Sequence, residues 1–200
     1  TRCLSDWSSD VCSSDLEVRD LVSALRLVVD PMAGPAAMRL LTGARWRLGV
    51  ADLAALWRRA RELAPPAPQR GGPLSATQLA LEAVPAEQAE QVGLVDAIDD
   101  PGPPDRYSPQ GYARIRRLGQ ELAWLRSRLS APLPDLVADA ERLLMLDVET
   151  AARPGPTGRA HLDAFAEVVA DFAATAPVPT LPALLDYLAA AEQAEDGLDP

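Results

Sequence analysis

Lysine and asparagine occur nowhere in these 200 residues, so all nineteen basic side chains are arginine. A phosphate loop of the GxxxxGK[ST] type is excluded at once, because its lysine has no source. The bias is the coding signature of a very GC-rich genome and assigns no function by itself. Histidine occurs once, as His161, and the two cysteines, Cys3 and Cys12, both fall in the first sixteen residues. A zinc site therefore lacks ligands, and a disulfide framework is excluded beyond the leader. A cysteine-free remainder fits a cytoplasmic protein. No apolar run approaches the ~20 residues of a membrane span. Sustained period-two alternation is also missing, so strands are not expected and the fold class is all-α. No repeat of fixed length is visible.

The leader stands apart. Residues 6–16, DWSSDVCSSDL, are the translation of a common sequencing-library adapter, so residues 1–16 are set aside from fold reasoning. They hold one arginine and three aspartates, which leaves −8 of the chain's −10 on the rest.

From Glu17 onward, apolar residues recur at helical spacing between proline and glycine stops. The pattern predicts a helix over 17–30, with Leu21, Leu25 and Val28 inward and Asp30-Pro31 as its end. A second helix opens at Pro35, carries Met38, Leu40 and Leu41, and ends near Gly43. A third covers Val50–Leu63, with Leu53, Leu56, Trp57, Ala60 and Leu63 on one face. Residues 64–73 read as a linker. Two brief helices over 75–84 and 86–98 follow, then a break at 99–109. The longest helix, 109–129, places Ile115, Leu118, Leu122, Leu125 and Leu129 on a core stripe. Shorter helices are expected after Pro132 (with Leu136, Val137, Ala140, Leu143 and Leu144 inward) and over 146–152. Two more cover 158–174, with Leu162, Phe165, Ala166, Val169 and Phe172, and 181–192, before a frayed acidic tail.

Charge is unevenly spread. Residues 39–70 hold seven arginines against Asp52 and Glu62, and residues 106–128 hold six against Glu121. Residues 131–200 hold thirteen acids against Arg142, Arg153 and Arg159. Two basic islands can present a local phosphate-binding surface, or they can be solvated helix faces. The turn TGARWRLGV at 42–50 is the sharper feature. A glycine ends one helix and a second begins the next, whose first-turn N–H groups and dipole favour an anion. Arg45 and Arg47 flank it, and arginine adds bidentate phosphate contacts. An ordinary helix–turn–helix connection with exposed arginines is the competing reading. Catalysis has no comparable support. His161, two residues before Asp163 on a predicted helix, reads as structural, and the pairs Asp99–Asp100 and Glu195–Asp196 read as solvated charge.

EVRDLVSALRLVVDP followed by MRLLTGARWRLGVADLAAL resembles UvrD/Rep/PcrA-type superfamily-one DNA helicases, where the chain leaves the second motor domain for the 2B subdomain. That family typically reads E-V-[KR]-D-x-[LV]-x-x-L-R-L-[IV] and then an Arg-Gly-Ile-Gly turn. PLPDLVADAERLLMLDVE, PVPTLPALLDYL and the acidic tail are similar to the close of that subdomain, before the motor resumes at a TVHxAKGLE motif. The likeness spans nearly all of 17–200, and is greatest to UvrD-like helicases of high-GC bacteria. One departure stands in the turn: this chain has Trp46-Arg47-Leu48-Gly49, so Arg47 replaces the first glycine and only Gly49 carries over.

The resemblance implies an irregular multi-helix, 2B-like subdomain over 17–192 with a helix-hairpin-helix-like turn. Residues 17–30 would be the hinge-side helix from the motor, and 193–200 an acidic tail at the return to it. It implies an accessory, duplex-contacting piece of an ATP-dependent 3′-to-5′ DNA helicase, rotating about hinges near its ends and inactive alone. ATP and Mg would sit in motor domains outside this chain, which itself would hold neither cofactor nor catalytic site. The implied partners are double-stranded DNA, through its backbone, and the parent's motor domains, with no membrane. Arg45, Arg47, Gly49 and Arg58 would contact the duplex, with Arg114, Arg117 and Arg128 as a secondary basic patch. An independent all-α adaptor, binding a protein through apolar faces and its acidic C-terminal half, is the alternative.

Overall fold

The computed structural model describes residues 16–64, 93–152 and 159–196. Nine α-helices and one 3-10 turn make up these residues, with no strand among them, so the fold is all-α. The chain divides into two compact units, one from residues 30–120 and one from residues 1–29 with 121–200.

In the unit of residues 30–120, α2 (Gly34–Thr42) carries Pro35 in its first turn, where the missing N–H costs no bond. Gly43 caps its end by donating to the Arg39 and Leu40 carbonyls. Helix α3 (Val50–Leu63) begins on Gly49 as expected. Both α2 and α3 pack on α4 (Leu94–Asp99). A 3-10 turn at Pro104–Arg106 leads into α5 (Pro109–Ser127), whose residues up to Gln120 belong to this unit. Leu40, Leu41, Trp46, Leu56, Ile98, Ile115 and Leu118 fill the core. Burial of each such side chain contributes roughly 1.5–3 kcal/mol. At Gly119, a Cβ would lie 2.8 Å from the Ile98 carbonyl oxygen, so α4 and α5 approach to backbone contact.

The second unit joins α1 (Leu16–Val29) to the rest of α5, α6 (Leu133–Leu144), α7 (Leu146–Ala151), α8 (Ala160–Thr175) and α9 (Leu181–Asp196). Helix α1 packs on α6, α8 and α9, and α6 packs on α8. Phe165 is fully buried here. Met145, at φ 59°, is the left-handed cap that turns α6 into α7. Buried Glu141 is neutralised by Arg159 at 2.5 Å.

Several expectations are corrected. Leu129 is 43 % exposed, because α5 ends at Ser127 and its last amides tighten onto Leu125 and Arg126 before the stripe reaches it. Met38 is 37 % exposed and Ala166 is exposed, so α2 and α8 bury narrower stripes than their apolar content suggests. Leu53, Trp57, Leu63, Leu143 and Phe172 are only half-buried. The predicted helix over 75–84 lies outside the described residues, as does most of 86–98, whose described part is α4 on Gly93. The last helix runs on to Asp196 instead of fraying at 193.

Candidate functional site

The turn between α2 and α3 is held from below and from behind. Trp46 is only 3 % exposed, so the ring between two arginines is a core plug. Its Nε1 is buried with no hydrogen-bond partner among the described residues, a cost borne for the apolar area it buries. The Arg45 guanidinium lies 4.9 Å from the centre of that ring, a cation–π contact that holds Arg45 along the turn. Arg47 takes φ 43°, the left-handed region that glycine favours. Its Nε donates to the Ala44 carbonyl at 2.7 Å, while its amide donates to Gly43 O at 3.0 Å. The Leu48 amide reaches back to Leu41 O at 2.9 Å.

Arg114 joins this turn from α5, donating Nη1 to the Arg47 carbonyl at 2.9 Å. A residue from the second basic island is thereby brought to the first. Gly49 has ordinary extended geometry (φ −74°, ψ 159°), and a Cβ there would meet nothing within 4 Å. The packing of the described residues thus does not require glycine at position 49. Val50, the first residue of α3, is 84 % exposed, so the amino end of that helix lies at the surface.

The remaining site arginines divide sharply. Arg58 is exposed, as are Arg47 and Arg114, and none of the three has a carboxylate partner among the described residues. Arg117 is exposed on α5. Arg128 lies in the other unit, over Trp124 and 3.0 Å from Asp139, so Arg114 and Arg128 do not share one compact unit. Arg59 and Arg106 are also spoken for. Arg59 bonds the Asp100 carboxylate and carbonyl and Glu62, and Arg106 holds Glu62 at 2.6 Å. The hydrogen bond from Arg106, and then that from Arg59, keep the Glu62 carboxyl below the usual glutamate range. Asp100, ahead of Glu62, raises Arg59 in turn.

Sequence reasoning did not find the residues that anchor α3. Asp52, counted above as a charge, is buried and accepts from the Ser108 amide and hydroxyl, both at 2.7 Å. Ser108 caps α5, its Oγ accepting from the Gly111 amide at 3.0 Å. A Cβ on Gly111 would sit 2.1 Å from Asp52 Oδ2, so a side chain here would push the Asp52 carboxylate off its Ser108 partners. The pair Ser108-Pro109 is a helix-start signature, but nothing local links it to Asp52.

Among the described residues, no group of three or more His, Cys, Asp and Glu side chains could hold a metal. No described helix is long and apolar enough to cross a membrane. His161 is half-buried on α8. No family model matches the chain, and no curated protein matches it.

Proposed function

We propose that this chain is the accessory, 2B-like subdomain of an ATP-dependent 3′-to-5′ DNA helicase of UvrD/Rep/PcrA type, and that its α2–α3 turn grips the backbone of duplex DNA. The observation that carries the reading is Arg47. It stands where the resembled turn has its first glycine, and its φ of 43° is the conformation a glycine would supply without cost. Gly49, where a Cβ would meet nothing within 4 Å among the described residues, fits a position open to the close approach of another molecule. Charge agrees in sign: the described residues of 30–120 hold ten arginines against seven acids. Contacts of this kind position a protein on a duplex without reading sequence.

ATP hydrolysis belongs, in this reading, to motor domains of the parent protein. The purified chain is expected to show no ATPase turnover with or without DNA, and measurable turnover would overturn the assignment. The direct test is fluorescence anisotropy with a short labelled duplex at low salt. Binding that is tolerant of sequence and weakened by Arg45→Ala with Arg47→Ala supports the reading. Absence of duplex binding would leave the adaptor reading in its place.

A further inference from the structure

We infer that Arg114 is a positioning residue of the duplex-contacting turn, holding the backbone that meets a DNA phosphodiester without touching the phosphate. This rests on the reading of the turn given above and assigns a part to a side chain 67 positions further along. The argument concerns one peptide unit, the C=O of Arg47 joined to the N–H of Leu48. Its N–H donates to Leu41 O at 2.9 Å, and its C=O accepts from Arg114 Nη1 at 2.9 Å. The plane is therefore pinned at both edges. It follows the one non-glycine residue of this turn with positive φ, the point where the backbone has most to gain by relaxing. It also lies one residue before Gly49, the residue on which α3 begins, so pinning it fixes the chain close to where the helix starts.

The charge of Arg114 matters to this grip. A guanidinium donor to a carbonyl forms a stronger, shorter bond than a neutral donor and holds the plane against solvent competition. Arg114 and Arg47 carry no carboxylate partner among the described residues, so this bond is made with the arginine charge uncompensated by a local acid. An arginine spent on a carboxylate, as Arg59 is on Asp100, would grip its target as a simple ion pair. Arg114 is spent on main chain.

The test uses the full chain and a short labelled duplex, with affinity followed across a salt series at a temperature where melting curves show every variant folded. Arg114→Ala is expected to weaken binding ~3- to 10-fold, the worth of one hydrogen bond. The slope of log affinity against log salt should stay unchanged, because no phosphate contact is removed. In the background of Arg45→Ala with Arg47→Ala the residue-47 carbonyl is still present, so the further change Arg114→Ala should weaken the remaining binding by a similar factor, and no further loss there would overturn the inference. A slope that drops by ~0.9 would mean that Arg114 touches a phosphate itself, which overturns the inference. Wild-type affinity in Arg114→Ala, with the Arg45/Arg47 variant still weakened, overturns it too and leaves the proposed function standing. Failure of the wild-type chain to bind any duplex removes the proposed function and this inference with it.

Discussion

Arg47 sets two demands against each other. An L-residue in the left-handed region costs roughly 1–2 kcal/mol, and here the side chain recovers part of it by bonding Ala44 O. Truncation separates the two terms. Arg47→Ala and Arg47→Gly both lose that bond, but only alanine still carries a Cβ at φ 43°. The glycine variant is therefore expected to be the more stable by about 1 kcal/mol in urea melts, the reverse of the usual order. Equal stabilities would show that the left-handed strain is absent. Gly49 is the matching control. Its φ of −74° and open surroundings predict that Gly49→Ala changes stability by less than about 0.5 kcal/mol, while an approaching phosphate would feel the added methyl.

At the scale of elements, what fixes the turn is the seating of α3 against α5. Asp52 Oδ1 and Oδ2 take both Ser108 donors, and Gly111 leaves the room they need. Gly111→Ala is expected to cost about 2–3 kcal/mol, since the carboxylate must leave its partners to admit the methyl. Asp52→Ala strands the Ser108 amide and should cost about 1–3 kcal/mol. The double variant should cost less than the two together by about 1 kcal/mol, because its clash is gone; strict additivity in the melts would refute the lock. The Glu62 network titrates. Its carboxyl is held low in the folded chain, so the ion pairs are fully present above the unfolded value of about 4.3 and are lost as pH falls through the depressed one. Glu62→Gln should therefore melt below wild type at about pH 7, and the gap should close under strong acid. A gap of constant size across that range would mean that the network contributes nothing through its charge. Local patterning made the helices legible: Pro35, Gly43 and Gly49 mark their ends, and Val50–Leu63 begins and stops where its periodicity says. The site was legible only in part. Trp46 sits among arginines in a turn, so no periodic stripe marks it as core. Asp52 meets Ser108 across 56 positions and Arg59 meets Asp100 across 41, distances over which composition and periodicity carry no signal.

For the whole molecule, a net charge of −10 predicts repulsion from DNA, yet the charge is divided by unit. Described residues of 30–120 hold ten arginines and seven acids, whereas those of the other unit hold six arginines and fifteen acids. Raw counts overstate what is available, because most of the arginines in that second unit are already committed. Arg26 faces Glu192, Arg128 and Arg142 share Asp139, and Arg159 serves Glu141 and Asp163. A paired arginine that stays with its carboxylate releases no counterion on meeting a phosphate, and one without an acid partner does. Salt titration of duplex binding therefore distinguishes the two sets. If Arg47 meets a phosphate, Arg47→Ala should make the slope of log affinity against log salt shallower by about 0.9. Arg128→Ala, which removes a guanidinium held 3.0 Å from Asp139, should leave that slope where it was. Were Arg128→Ala to flatten the slope as much as one turn arginine does, DNA would be reading the acidic unit as well. The basic unit would then not be sufficient for the contact.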